Sequence, residues 1–124
     1  MEWFLHLAEK DKAVALVLRY IKEIMNSDSV SACDDVYEPV ERTITISDYC
    51  NECGVAEDIY KIKESLEDLS DKSFWFKKGI GCEVLVRPVQ KVYINHKNKT
   101  ITLGIDREVI ACAMRLWQIG EQKV

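Results

Sequence analysis

Apolar residues recur every three or four positions in three stretches of the chain, and this spacing predicts three amphipathic helices. The first helix is expected from Ala8 to Met25 and the second from about Ala56 to Leu69. The third is expected to follow Asp106, whose side chain can cap it. The three apolar faces consist of Val14, Val17, Leu18, Ile21, Ile24 and Met25; of Ile59, Ile62, Leu66 and Leu69; and of Val109, Ile110, Ala113, Met114 and Trp117.

Alternation of apolar and polar residues predicts strands elsewhere in the chain. Residues 42–47, RTITIS, alternate in this way. After the second helix, the segments SFWFKK, EVLVRPVQ and KVYINHKNKTITLGI carry strand signals, and the last is expected to fold as a hairpin around NHKNK. Pro88 suits a sheet edge or a bulge. Residues 26–39 have the composition of a loop.

A short helix, a glycine turn and a longer helix follow the first strand. Ser47 is expected to cap the short helix, DYCNEC, and Gly54 to end it in a left-handed conformation. This succession is typical of a helix-turn-helix. The full predicted order is helix, strand, helix, helix, three strands, helix. We therefore predict an α+β fold, a winged helix-turn-helix with an enlarged β wing and a closing C-terminal helix.

Cys50 and Cys53, spaced as CxxC, raise the alternatives of a zinc site, a redox pair or buried thiols. A structural zinc site takes four ligands, and the chain has neither a second CxxC nor an HxxxH. A thioredoxin-type pair would follow a buried strand and open a long helix. Because positions i and i+3 share a helix face, the pattern favours structural thiols in the core, and we expect no metal and no cofactor.

The bulk composition narrows the class of protein. A chain of 124 residues suits one domain, so residues 1–124 are predicted to form a single winged-helix domain. No apolar run approaches the roughly 18 to 20 residues of a membrane span, and no secretory signal is recognisable. Five cysteines in such a chain indicate reduced thiols in a cytoplasmic protein. No motif indicates an active site, so we expect no enzyme activity.

The charge is unevenly distributed along the chain. Residues 1–71 carry seven Lys or Arg against seventeen Asp or Glu, whereas residues 72–124 carry ten against four. Such asymmetry indicates a surface for a polyanion, although the charges could also simply cover solvated strands. The second helix is acidic, so we expect phosphate contacts mainly from the wing and weak base recognition at most. The candidate DNA-binding residues are Lys61, Lys63, Lys77, Lys78, Arg87, Lys91, Lys97 and Lys99.

The stretch TITISDYCNECGVAEDIYKIKESLEDLSDKSFWF, with TITLGIDREVIACAMRLW after it, resembles a known family. It is similar to the N-terminal winged-helix domain of plasmid replication initiators of the Rep_3 (RepA/RepB-like) superfamily over about residues 5–118. The matching positions are Ile46, Asp48, Cys53, Gly54, Tyr60, Leu66, Leu69, Ser73, Phe74 and Trp75. The resemblance implies dimerisation and binding of origin repeats, mainly through backbone contacts. Members usually carry a second winged-helix domain that makes the main sequence-specific contacts.

Two functional hypotheses follow from the sequence. In the first, the chain is a DNA-binding and dimerisation domain that grips double-stranded DNA, such as plasmid origin repeats, through its basic wing and acts as a homodimer. In the second, the same fold is a protein-interaction module with little or no DNA binding of its own. The basic residues between 77 and 99 favour the first. The acidic second helix and the aromatic residues Trp3, Phe4 and Trp117, expected to be exposed, favour the second.

Overall fold

Five helices and five strands form the part of the protein that the computed structural model describes, which comprises residues 2–26 and 38–122. Side chains are described for residues 4–26 and 38–114. Most of the predicted loop at residues 26–39 lies outside these ranges, as do the side chains of Trp3 and Trp117. In chain order the elements are α1 (Glu2–Ala8), α2 (Lys12–Met25), β1 (Val40–Thr45), α3 (Ile46–Cys53), α4 (Ile59–Asp71), β2 (Phe74–Gly79), β3 (Cys82–Val86), β4 (Val89–Asn95), β5 (Thr100–Ile105) and α5 (Arg107–Gln122).

The first helix was predicted to begin at Ala8, which is too early. The helical structure is interrupted after α1, and α2 begins at Lys12. Asp11 caps α2 there, and its Oδ1 accepts hydrogen bonds from the amides of Ala13 and Val14 at 2.9 and 3.2 Å. The cap predicted at Ser47 is also wrong. Thr45 is the N-cap of α3, and its Oγ1 accepts a hydrogen bond from the amide of Asp48 at 3.1 Å. Both caps satisfy amides that have no partner within the helix.

The strands form two antiparallel sheets rather than one continuous wing. β1, β5 and β4 form a three-stranded sheet in that order, and β2 and β3 form a separate hairpin. Four strands follow α4 instead of the three in the predicted order, since the predicted hairpin KVYINHKNKTITLGI supplies two of them. The predicted strand EVLVRPVQ is interrupted at Pro88, and Val89 and Gln90 belong to β4. The register of β4 against β5 shifts between Val89 and Lys91, which makes Gln90 a bulge.

The order helix, strand, helix-turn-helix and hairpin, with β1 paired beside β5, is that of a winged helix. The β4–β5 hairpin is the wing, the β2–β3 hairpin enlarges it, and α5 closes the domain. This confirms the predicted fold class. None of the described helices is both long and apolar enough to cross a membrane.

One hydrophobic core joins the helices to both sheets. The predicted apolar faces of α2, α4 and α5 lie in or against this core, as far as their side chains are described, except for Ile59 at the start of α4, which is half-buried and is not part of it. Phe4 was expected to be exposed, but it is 1% exposed and packs edge-on against Phe74, with ring centroids 5.2 Å apart. Phe76 lies 6.2 Å from Phe4 and completes an aromatic cluster between α1 and the β2–β3 hairpin. Burial of these rings explains why α1 lies on that hairpin.

Candidate nucleic-acid interface

The helix-turn-helix is held rigid by contacts within it and to α2. Tyr49 of α3 is fully buried, and its hydroxyl lies 2.8 Å from the Ser65 hydroxyl of α4. Gly54 ends α3 with φ 67° and ψ 35°, which confirms its predicted left-handed conformation. On the outside, the Arg19 guanidinium donates to both carboxylate oxygens of Glu52 at 3.1 and 2.9 Å. This ion pair, in which Nη2 donates to both oxygens, joins α2 to α3, and its hydrogen bonds raise the pKa of Arg19.

The two cysteines of the CxxC lie in α3, as predicted. Cys50 is buried and Cys53 is half-buried. Burial raises the pKa of both thiols, that of Cys53 to about 11. The buried-thiol prediction is thus confirmed for Cys50 and partly for Cys53. Within the described residues, no three or more His, Cys, Asp or Glu side chains are grouped to hold a metal ion.

The β4–β5 turn places two of the predicted lysines beside the helix-turn-helix. Asn95 Oδ1 accepts a hydrogen bond from the Asn98 amide at 3.0 Å, and Lys99 adopts a left-handed φ of 55°. The Lys99 carbonyl accepts a hydrogen bond from the amide of Ile46, the first residue of α3, at 2.9 Å. Lys97 and Lys99 are exposed, and neither pairs with an acid in the described parts of the chain. We call Lys97, Lys99 and the exposed His96 between β4 and β5 the basic turn.

The helix α4 is a poor surface for a phosphate backbone. Its sequence, IYKIKESLEDLSD, carries Lys61 and Lys63 against four carboxylates, so its formal charge is −2. Both lysines are exposed, and Lys63 borders a shallow groove with Val92 and Ile94 of β4. The Lys72 ammonium that follows the helix lies 2.5 Å from Asp68 and 3.6 Å from Asp11. The Lys72 ammonium is therefore neutralised by these two carboxylates and adds no unpaired positive charge to the surface of the helix.

Three of the other predicted residues, Lys78, Arg87 and Lys91, lie at the opposite end of the three-stranded sheet. The basic turn joins the Thr100 end of β5, whereas α5 begins just after its Ile105 end, and six residues of strand separate these ends by about 17 Å. Lys78 lies at the α5 end, because its ammonium is 3.3 Å from the Glu108 carboxylate. Arg87 and Lys91 line a cavity with Asp106 at the same end. The predicted basic residues are therefore divided between the two ends of the sheet.

The β2–β3 hairpin has an apolar outer face, although it was expected to be basic. Trp75 and Leu85 are directly opposite each other in the register and are 55% and 52% exposed. At the tip, Ile80 is fully exposed between two glycines. Lys77 is paired in register with Glu83, and Lys78 contacts Glu108, so the basic charge of this hairpin is largely balanced. The sequence could have predicted this face, because Trp75 lies between Phe74 and Phe76 on a strand and must therefore point to the opposite side from them.

Comparison with known proteins gives a structural resemblance but no family. No model of a protein family matches the chain, and no curated protein does. Among solved structures, the chain is similar to the crystal structure of the WH1 domain of MSBI1.176, a replication protein isolated from a multiple sclerosis patient. The sequence identity is 20% and the TM-score 0.46, and the likeness covers 82% of this chain and 75% of that one. At these values the likeness supports no functional assignment. The resemblance to the Rep_3 superfamily rests on the sequence alone.

Proposed function

We propose that the protein is a DNA-binding winged-helix domain that grips double-stranded DNA through phosphate contacts from the basic turn. The observation that carries this proposal is the anchoring of the turn to the start of α3. The hydrogen bond from Ile46 to the Lys99 carbonyl holds the turn, with two lysines that pair with no acid of residues 4–26 or 38–114, beside the helix-turn-helix, where a wing can reach the DNA backbone. The sequence resemblance supports plasmid origin repeats as the target and initiation of replication as the process.

The distribution of charge supports backbone contacts over base recognition. A recognition helix placed in the major groove lies between two phosphate backbones, which repel the formal charge of −2 on α4. Lys97 and Lys99 of the basic turn are exposed and form no ion pair within the described residues. The domain therefore contributes affinity and orientation, and little sequence discrimination, to a larger DNA complex.

Fluorescence anisotropy with a labelled duplex at several salt concentrations tests the proposal. We expect the wild-type affinity to fall steeply with salt. In Lys97→Glu/Lys99→Glu, the slope of log K against log salt should fall by about two units, one for each lost phosphate contact. The single reversal Lys97→Glu has Lys10→Glu as its charge-matched control, because Lys10 is exposed in the connection between α1 and α2. Absence of binding at low salt, or equal effects of turn and control variants, would exclude this role for the turn.

The apolar face of the β2–β3 hairpin favours a second role, that of a protein-interaction module. Exposed Trp75, Leu85 and Ile80 give this hairpin the aromatic and aliphatic side chains that anchor protein interfaces. The sequence resemblance implies that the partner is a second copy of this chain, and dimerisation then uses a different hairpin from the basic turn. If the DNA experiment fails, interaction through β2–β3 becomes the leading function.

A further inference from the structure

A cavity of about 360 Å³ lies where the end of β3 and the start of β4 meet the N-terminus of α5. It is lined by Leu85, Val86, Arg87, Gln90, Lys91 and Asp106, and we call it the cleft. Its volume is within the range of roughly 300 to 1,000 Å³ that is usual for sites of small molecules. It is separated from the basic turn by the length of the three-stranded sheet.

Hydrogen bonds of Asp106 fix the floor of the cleft. The Asp106 side chain is buried, with 7% exposure for the residue, and its Oδ1 accepts from the amides of Glu108 and Val109 at 2.8 and 3.3 Å. Its Oδ2 accepts a hydrogen bond from the Gln90 side-chain amide. The bulge in β4 directs Gln90 to this carboxylate. Both carboxylate oxygens are thus occupied, and the N-terminus of α5 offsets the negative charge.

Two cations at the rim give the cleft a preference for anions. Arg87 and Lys91 are exposed, and neither forms an ion pair with any acid in residues 4–26 or 38–114. With the one carboxylate of Asp106, the formal charge of the cleft is +1. An arginine presents a planar fork of donors that matches two oxygens of a phosphate, and a lysine adds a further charged donor.

Size and lining distinguish a nucleotide from a simple anion. The cavity is several times larger than an inorganic ion needs, and the half-exposed Leu85 with Val86 offers apolar surface beside the two cations. We propose that the cleft binds the phosphate of a nucleotide unit, with Arg87 and Lys91 as its phosphate ligands. The unit is either a free mononucleotide or part of a DNA strand. Binding of a phosphate from a DNA strand rests on the proposed function, whereas binding of a free mononucleotide does not.

Titration of the isotopically labelled protein with dAMP, followed by NMR, tests the proposal directly. We expect saturable shifts of the Arg87 side-chain Nε–H and of the amides of Gln90 and Lys91. Arg87→Gln/Lys91→Gln should weaken the affinity by at least about tenfold, since it removes two charged donors. Arg87→Lys keeps the charge but loses the fork, so its affinity should be intermediate. Lys10→Gln, which removes one exposed charge elsewhere, should bind dAMP like the wild type.

The same variants distinguish the two sources of phosphate. Saturable dAMP binding that the double variant abolishes supports a free nucleotide. A lower duplex affinity and salt slope in the double variant, with Lys10→Gln unchanged, supports a DNA phosphate. The proposal is overturned if two results occur together. The first is that the dAMP shifts do not saturate, or are equal at the cleft and at the basic turn. The second is that the double variant binds the duplex like the wild type. If the basic turn proves not to bind DNA, the dAMP titration alone decides whether the cleft binds a nucleotide phosphate.

Discussion

At the scale of single residues, Gly54 has the clearest conformational requirement. Its φ of 67° disfavours any residue with a side chain, and an added Cβ would lie 3.4 Å from the Lys12 ammonium. We expect Gly54→Ala to lower the free energy of unfolding by about 1 to 2 kcal/mol in urea denaturation. Gly79→Ala is the matched control, because nothing lies within 4 Å of its Cβ position. Equal losses in both variants would show that the turn at Gly54 tolerates a side chain.

Also at the residue scale, Cys53 should make stability depend on alkaline pH. Burial raises the pKa of this thiol from its ordinary value of 9.0 to about 11, so the folded state retains a proton that the unfolded state loses. The resulting stabilisation is complete below pH 9 and is lost as the pH rises to about 11, by roughly 1 to 2 kcal/mol. Urea denaturation in reducing buffer at pH 8 to 11, an interval set by that pKa, should show a smaller decline for Cys53→Ala. The free energy of unfolding of Cys82→Ala, which changes an exposed thiol, should decline with pH like that of the wild type. If the free energy of Cys53→Ala declined in parallel with that of Cys82→Ala, the linkage to Cys53 would be contradicted.

At the scale of elements, we expect substitutions in the acidic helix α4 and in the basic turn to have different effects on DNA binding. Lys61 and Lys63 lie among four carboxylates on α4, whereas Lys97 and Lys99 form no ion pair in the part of the chain that is described. We expect Lys61→Gln/Lys63→Gln to reduce duplex affinity by no more than about threefold at moderate salt. Lys97→Gln/Lys99→Gln should reduce it by about tenfold or more and lower the salt slope. Comparable losses in the two double variants would place α4 in the groove.

At the scale of the whole molecule, the sequence predicted elements well and their arrangement less well. Periodicity located α2, α4 and α5, since each buries one face, and Gly54 and Asp106 act at helix ends as expected. The pairing of β1 with β5 joins residues about sixty positions apart, and local pattern does not encode it. For the same reason, basic residues adjacent in sequence could not be assigned to opposite ends of one sheet. Gln90 gains its role only through contact with Asp106.

The position of the apolar hairpin leads to the last prediction, which concerns assembly of whole molecules. If the outer face of β2–β3 is the homodimer interface, Trp75 and Leu85 are its anchors, and truncating both removes the central contacts. Trp75→Ser/Leu85→Ser should raise the dimer dissociation constant by about tenfold or more in sedimentation velocity. The fold should survive, because both side chains lie on the face opposite Phe74 and Phe76. Tyr60→Ser, which removes an exposed aromatic from α4, is the control and should leave the dimer intact. Dissociation in Tyr60→Ser alone would move the interface to the helix-turn-helix, where it would compete with DNA instead of leaving the basic turn open.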